Sequence, residues 1–444
     1  MFDFRSFLDY LKKINEVELI NEEVSLEYDI ASISLNSDKT FIFKNVGNKK
    51  FQVVTNILNT RKKICLALGC SSIKELHKKI IEANNVKKHV KETNNGTVHE
   101  GIEIDSLYKL PIIKYFKEDA APYITSAIVS AYDKKNEIEN VSIHRLMLLN
   151  DKQLAIRVVP RHLYFLIKEI HKRGEVVDVA ISIGVPPAVI LAASCSPPLG
   201  KSEYDLAYFF DENVSVTKCS TINARCVSNA EIVIEGKIYP GKEVNEGPFT
   251  DVTGTLDKVR KQPVVDVLKI MVKEDAYYHA IVPSGNEHQL LMGIPKEASI
   301  LENVIKICPN VKDVRLTPGG YHWLHAVISM KELTKGDAKN VILAAFSAHP
   351  SLKHVVIVDE EVDIDDPIEV EKSIATKFQA DKNMILISGI RGSTLDPSST
   401  EDGLTTKVGI DATGSFLKGE YIKASLIISE KAKKIINKLK DIKN

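Results

Sequence analysis

The stretch Ile124-Thr125-Ser126-Ala127-Ile128-Val129-Ser130-Ala131 decides the fold. It is β-branched and small-apolar, with no helix-period stripe, and reads as a buried strand. Leu154-Ala155-Ile156-Arg157-Val158-Val159 and Val177 to Ile183 read the same way, and Ala188 to Ala193 continues the apolar density as another strand. Turns separate these runs at Asp133-Lys134-Lys135, Asn150-Asp151 and Val185-Pro186-Pro187. Strands at such short spacing suggest a barrel or a mostly antiparallel sheet. His162 to Lys172 lies among them as a helix, with Leu163, Phe165, Leu166 and Ile170 on its apolar side.

Toward the N-terminus, Phe4, Phe7, Leu8, Leu11 and Ile14 recur at helical spacing. Phe41-Ile42-Phe43 and Phe51-Gln52-Val53-Val54 read as strands around a turn, and Ile73 to Ala83 as a helix. Asn84 to Thr97 is rich in Lys and Asn, lacks periodicity, and is expected to connect domains. After Lys296 the pattern becomes α/β. Ala298 to Ile307 and Ala338 to Ser347 read as helices, and residues 311–316, 326–330, 354–358 and 383–388 as strands. Ser429 to Ile442 reads as a terminal helix with Ala432, Ile435, Ile436, Leu439 and Ile442 on one face, suited either to docking on another subunit or to packing within its own chain.

The 444 residues suggest two or three domains with ample core. Lys plus Arg and Asp plus Glu both number 59, so no basic surplus marks a general nucleic-acid binder. The six cysteines form no CxxC pair and no zinc spacing, which points to a reduced, cytoplasmic setting. Residues 1–5 lack a basic region followed by an apolar run, so no signal peptide is expected. No apolar stretch is long enough to span a bilayer.

The chemistry-bearing residues fall in the strand-rich region. Glu246-Gly247-Pro248-Phe249-Thr250-Asp251 sets two carboxylates five residues apart around a Gly-Pro turn. A site that moves a proton needs one acid held by a cation and a second left free. Asn140-Val141-Ser142-Ile143-His144-Arg145 offers an amide oxygen suited to a hard cation and a guanidinium fork suited to a carboxylate. On a regular strand Asn140 and Arg145 face opposite sides, so a bulge or turn must intervene if both serve one site. His162 follows Pro160-Arg161 at a helix start, and Ser202 is a plausible N-cap with Glu203 in the first turn. The loop Ser194-Cys195-Ser196-Pro197-Pro198 has hydroxyls and backbone groups for a phosphate or a flavin edge. Lys407 lies in a turn-rich stretch, either a phosphate partner or solvated. His322 and His325 are one turn apart beside the only Trp, without a third ligand nearby, and read as packing.

The order of these motifs resembles the UbiD family of decarboxylases across roughly residues 105–415. The resemblance implies an α+β, α/β multidomain fold with a central split β-barrel that binds prenylated FMN. The divisions expected are an N-terminal α/β domain at 1–105, the barrel at 106–300, and a C-terminal α/β domain with an oligomerisation helix at 301–444. It implies Mn2+ or another divalent ion on Asn140, His162 and Glu203, with K+ bridging to the flavin phosphate. It implies a catalytic Arg145, Glu246 and Asp251, and a cofactor surface of Asn140, Ser142, Ile143, His144, Arg145, Arg161, His162, Ser194, Ser196, Pro197, Glu203 and Lys407. Two positions depart from the family pattern: Thr250 replaces a Gly, and His144 stands where a Tyr often precedes the Arg.

The implied reaction is non-oxidative decarboxylation of an α,β-unsaturated acid, with proton return from Asp251. The His-Arg variant resembles archaeal members acting on trans-anhydromevalonate 5-phosphate to give isopentenyl phosphate. An aromatic acid of the 4-hydroxybenzoate or polyprenyl-hydroxybenzoate type is the alternative. From other classes, a non-catalytic flavin-binding protein and a flavin-free hydrolase on Asn140, His162 and Glu203 remain to be weighed. A flavin prenyltransferase would supply the cofactor, and a homodimer or higher homo-oligomer is expected.

Overall fold

The computed structural model of the chain describes residues 2–85, 87–414 and 426–441. Six antiparallel strands close into a barrel, in the order Ile232–Glu246, Val177–Ile183, Tyr123–Asp133, Ile138–Asn150, Gln153–Ile156 and Arg260–Val272. The last strand pairs back to the first, Ile232 against Val272 through Glu246 against Arg260. Closure leaves no open edge among the six. Val129, Ile181, Ile234, Leu154, Val265 and Leu146 fill its core.

An N-terminal layer leans on this barrel. The helix Phe4–Lys13 buries Phe4, Phe7, Leu8 and Leu11, the stripe its sequence spacing predicts, and Asp3 caps it through the Ser6 amide. Its Arg5 reaches the buried Glu231 with two nitrogens. The N-terminal sheet runs Val17–Val24, Thr40–Val46, Gln52–Thr55 and Tyr277–His279, so its last strand comes from beyond the barrel. In the C-terminal unit, a five-stranded sheet runs Val311–Leu316, His325–Met330, His354–Asp359, Leu404–Ala412 and Met384–Arg391.

Four local expectations change. The apolar run expected as a strand is the helix Pro187–Ser194, buried on every side. A run that is apolar all round carries no period, and Pro187 in the first turn favours a helix. The helix expected from Ala298 starts at Asn286 and runs to Ile307 straight through Pro295. Packing of Leu290, Leu291, Ile294, Ala298 and Leu301 outweighs the one hydrogen bond that the proline removes. The connector after Asn84 contributes Lys91–Glu92 as a strand beside Ser215–Lys218. Lys407 sits in the strand Leu404–Ala412, buried rather than in a turn. The terminal helix spans Glu430–Asp441 and exposes Ile435 and Ile436. The Leu439 side chain and Ile442 lie outside the described residues. No described helix is long and apolar enough to cross a membrane.

Candidate active site

The strand Ile138–Asn150 presents two faces, and each carries one half of the site. Alternation puts Asn140, Ser142 and His144 on one face. Ser142 Oγ lies 3.0 Å from Asn140 Oδ1 and 2.9 Å from His144 Nε2. His144 Nδ1–H donates to the Arg157 carbonyl at 2.9 Å, which leaves Nε2 as an acceptor. Burial pushes the His144 imidazole down to about 4, so it is neutral near pH 7.

Glu203 comes to the same face from the helix Glu203–Phe210, whose Ser202 caps the Tyr204 amide. Its Oε1 accepts from Asn140 Nδ2 at 3.1 Å and its Oε2 from the Val141 amide at 2.7 Å. Burial pushes the Glu203 carboxyl up to about 8, against the pull of those two donors. No cationic side chain among the described residues pairs with it. A buried acid beside an amide, lacking a counter-charge, fits a site built to receive a cation. His162 opens the helix His162–Lys172, and its electrostatic neighbour is Arg161. No three His, Cys, Asp or Glu side chains gather as a metal cluster among the described residues. The expected set has only two of those residue types, its third member being an amide.

Arg145 points to the other face. Its Nε and Nη2 hold both oxygens of Glu246, at 2.9 and 3.0 Å, and Glu246 is wholly buried. Nη1 reaches Asp251 at 3.3 Å. Nη2 also meets Asp257 at 3.0 Å, and the guanidinium lies 4.6 Å from the Phe249 ring centroid. Gly247 takes φ +92°, the left-handed region that favours glycine, as the chain turns between Glu246 and Asp251. The bulge expected between Asn140 and Arg145 lies instead on the neighbouring strand. Ile124 pairs Leu146 and Ala127 pairs His144, so the irregularity falls opposite Arg145.

One chain of contacts joins the faces. His144 bonds the Arg157 carbonyl, Arg157 Nε stands 3.4 Å from Asp257, and Asp257 meets Arg145. Sequence reasoning missed Asp257 and Arg157, since neither belongs to a spaced motif. It also missed Tyr123, whose fully buried hydroxyl lies close to Glu246 without a well-formed hydrogen bond and whose ring lies 4.4 Å from that of Phe249. Burial raises the Tyr123 phenol far above its ordinary range, and Glu246 adds to this. His288 is the fourth omission. Its Nδ1 accepts from the Ser284 amide at 3.2 Å, and its electrostatic neighbours are Asp251 and Arg145.

The remaining expected cofactor residues divide. Ser194 Oγ donates back to the Leu191 carbonyl at 2.7 Å, Ser196 is exposed and Pro197 is buried. Ile143 packs against the core that also holds the Pro187–Ser194 helix. Lys407 Nζ donates to the Pro350 and Leu352 carbonyls, at 2.5 and 2.7 Å, which leaves one N–H. His322 bonds the Leu316 carbonyl at 2.8 Å, while Trp323 packs edge-on against His349. A cavity of about 560 Å³ beside Gly96, Ser228 and Lys273 has none of these site residues in its lining.

Comparison with known proteins accounts for nearly the whole chain. The 3-octaprenyl-4-hydroxybenzoate carboxy-lyase N-terminal domain matches residues 8–83, the Rift-related domain residues 85–286, and the C-terminal domain residues 289–412. The anhydromevalonate phosphate decarboxylase of Methanothermobacter thermautotrophicus is 42% identical over 419 residues, which cover 94% of this chain and 98% of that protein. The structure of the UbiD-class enzyme HmfF from Pelotomaculum thermopropionicum in complex with FMN superposes with a TM-score of 0.94 at 35% identity. It covers 98% of this chain and all of that one. An evolved dimeric form of the same enzyme with prFMN gives 0.88 at 33% identity, covering 96% and 97%.

Proposed function

The chain belongs to the UbiD family of carboxy-lyases, and we propose that it decarboxylates trans-anhydromevalonate 5-phosphate to isopentenyl phosphate with prenylated FMN. The observation that carries the reading is the Arg145 guanidinium locked on buried Glu246 with a second, looser acid, Asp251, beside it. The near full-length likeness to a named anhydromevalonate phosphate decarboxylase supports the substrate.

Asn140, His162 and Glu203 would hold the divalent ion, Mn2+ in our reading, with K+ beside it. Ser142, Ile143, His144, Arg161, Ser194, Ser196 and Pro197 would line the flavin, with Lys407 a buried charge behind them. When bound, prenylated FMN supplies the electrophilic centre that takes up the electrons of the breaking carbon–carbon bond. A flavin prenyltransferase would deliver it.

The protein's own groups position the substrate and move the proton. The Nη1 N–H of Arg145 that is not donated to Asp251 is left to orient the substrate carboxylate. Glu246 takes a charge-assisted bond at each oxygen, fixing the guanidinium. Asp251 is held by one contact to Arg145 and by the Val252 amide at 2.7 Å, and its side chain is 19% exposed. It is thus able to give a proton to the carbon that loses CO2 and to regain one from water. A positioned acid of this kind is worth roughly 10²–10⁴-fold.

We place the reaction in the cytoplasm, in keeping with six free cysteines. We also propose a homo-oligomer, because Leu426, Ile427, Ile428, Ile435 and Ile436 form an exposed apolar run. Co-expression with a flavin prenyltransferase, followed by assay of CO2 release, tests the substrate. Release from trans-anhydromevalonate 5-phosphate and none from 4-hydroxybenzoate is the expected result. The reverse would assign the chain to aromatic acids.

A further inference from the structure

The hairpin that carries Asp251 has one arm well held and one nearly bare. The strand Phe249–Thr250 pairs antiparallel with Leu256–Asp257, Phe249 against Asp257 and Thr250 against Leu256. Asp251 follows the first arm, with its amide on the Thr255 carbonyl and its carbonyl on the Gly254 amide, each at 2.9 Å. That arm is fixed, because Asp119 accepts the Thr250 amide at 2.9 Å and Val252 is fully buried. The return arm is different. Residues 254–256 and 258–259 are exposed, so apolar packing gives it little hold. Only Asp257 among 254–259 is turned inward, with its side chain 11% exposed.

Inside, Asp257 meets three guanidiniums. Its Oδ2 accepts from Arg145 Nη2 at 3.0 Å and lies 3.4 Å from Arg157 Nε. Its Oδ1 accepts from the Lys258 amide at 2.8 Å and from Arg260. Arg145 comes from the strand Ile138–Asn150, Arg157 follows Gln153–Ile156, and Arg260 opens Arg260–Val272. Burial alone would raise the Asp257 carboxyl, but Arg260, Arg145 and Arg157 outweigh it and hold it below the usual carboxylate range. It is therefore ionised near pH 7, one negative charge among three positive ones. Without it the three cations repel one another and the return arm loses its anchor.

Arg145 is thus gripped by both arms of one hairpin, at Nη1 by Asp251 and at Nη2 by Asp257. The Asp251 contact is the longer one, at 3.3 Å. A reacting group displaced by about 1 Å loses roughly 100-fold in rate. We infer that Asp257 is a positioning residue. It fixes Arg145 against the Asp251 hairpin, and so sets the distance between the group that orients the substrate carboxylate and the group that returns the proton. Asp257 itself transfers no proton. The inference rests on the reading of Asp251 as proton donor, and the experiment separates the two.

Asp257→Asn, which keeps the shape and removes the charge, is made in the parent chain and in Asp251→Asn, each co-expressed with a flavin prenyltransferase. Turnover of trans-anhydromevalonate 5-phosphate is counted per bound flavin, so that only folded chains enter. Amide exchange over residues 247–259 is followed by mass spectrometry in the flavin-free chain. In the parent chain Asp257→Asn should lower kcat roughly 10- to 100-fold, the scale of a lost hydrogen bond between charged groups. KM should not rise, because an acid beside an anionic substrate has been removed. In Asp251→Asn the same change should cost less than about twofold, since the group it positions is gone. Exchange in the hairpin should quicken while the rest of the chain stays as it was. Equal losses in both backgrounds, or a raised KM, would make Asp257 a structural residue and overturn the inference. Unaltered exchange over 247–259 would overturn it as well. Full activity in Asp251→Asn would remove the donor and the inference together. A loss in Asp251→Asn with none in Asp257→Asn would keep the donor and overturn the inference alone.

Discussion

Two buried arginine–carboxylate knots among the described residues, at Glu297 and at Arg145, are built to opposite rules. At Glu297 one acid is surrounded by donors. Arg61 gives two N–H groups at 2.5 and 2.7 Å, His77 Nε2 stands at 3.0 Å, and the Leu316 amide adds another at 2.7 Å. At Arg145 one guanidinium is surrounded by three acids, and the buried Tyr123 hydroxyl beside them is left without a well-formed hydrogen bond. The first knot ties the helix Ile73–Ala83 to the long helix Asn286–Ile307 and the strand Val311–Leu316. Four donors engage the two oxygens of Glu297, so that acid resists change, although His77 Nδ1 has no hydrogen-bond partner. The second shares three acids among three arginines, because Arg157 and Arg260 also reach Asp257, and it leaves Asp251 with only the 3.3 Å contact to Arg145. An acid engaged at every lone pair marks a structural network, and an acid held by a single cation contact marks a reactive one.

The contrast makes substitutions at the two knots behave differently. Glu246→Gln or Asp251→Asn should lower turnover roughly 10²–10⁴-fold with flavin still bound and the melting curve little moved. Initial rates beside flavin absorbance check this, and undiminished activity in both variants would end the proton-transfer role. Glu297→Ala should instead cost about 3–5 kcal/mol of stability, because it strands Arg61 and His77 in the interior. Urea denaturation reads that loss, and turnover per folded molecule should hold.

His162→Ala or Glu203→Ala should strip metal and flavin together, read by metal analysis and by absorbance. Full flavin occupancy in either variant would remove them from the ligand set. The smallest effect is a pH dependence at the Glu297 knot. Burial alone would lower the His77 pKa, but Asp313 and Glu297 on either side outweigh it and raise it. The unfolded imidazole titrates near ~6.5. The stabilisation is therefore complete below about that pH and is lost as pH rises through the raised folded value. Urea midpoints should fall between pH 6 and pH 9 in the parent chain and stay flatter in His77→Gln.

Much of the framework was legible in the residues. The helix at 73–83, the helix at 162–172 and the strands at 177–183 and 311–316 lie where period and turn signals predict them. Those signals are local and survive folding because packing agrees with them. Where they fail, packing overrides a local cue, as at Pro295 inside a helix and at the apolar run that became Pro187–Ser194. Around the site, the motifs that carry Asn140, Arg145, Glu203, Glu246 and Asp251 were readable as residue types. Asp257, Arg157, Tyr123 and His288 were not, because each enters only through barrel closure or the course of one long helix.

The sequence by itself determined the inventory: which acids, cations and amides exist, and that alternation sends Asn140 and Arg145 to opposite faces of one strand. Only the tertiary structure decided the pairing. It shut the barrel so that Glu246 meets Arg145 across 101 residues. The reason is that a side chain's direction is a local property of backbone period, whereas its partner is chosen by whichever distant strand the core brings alongside.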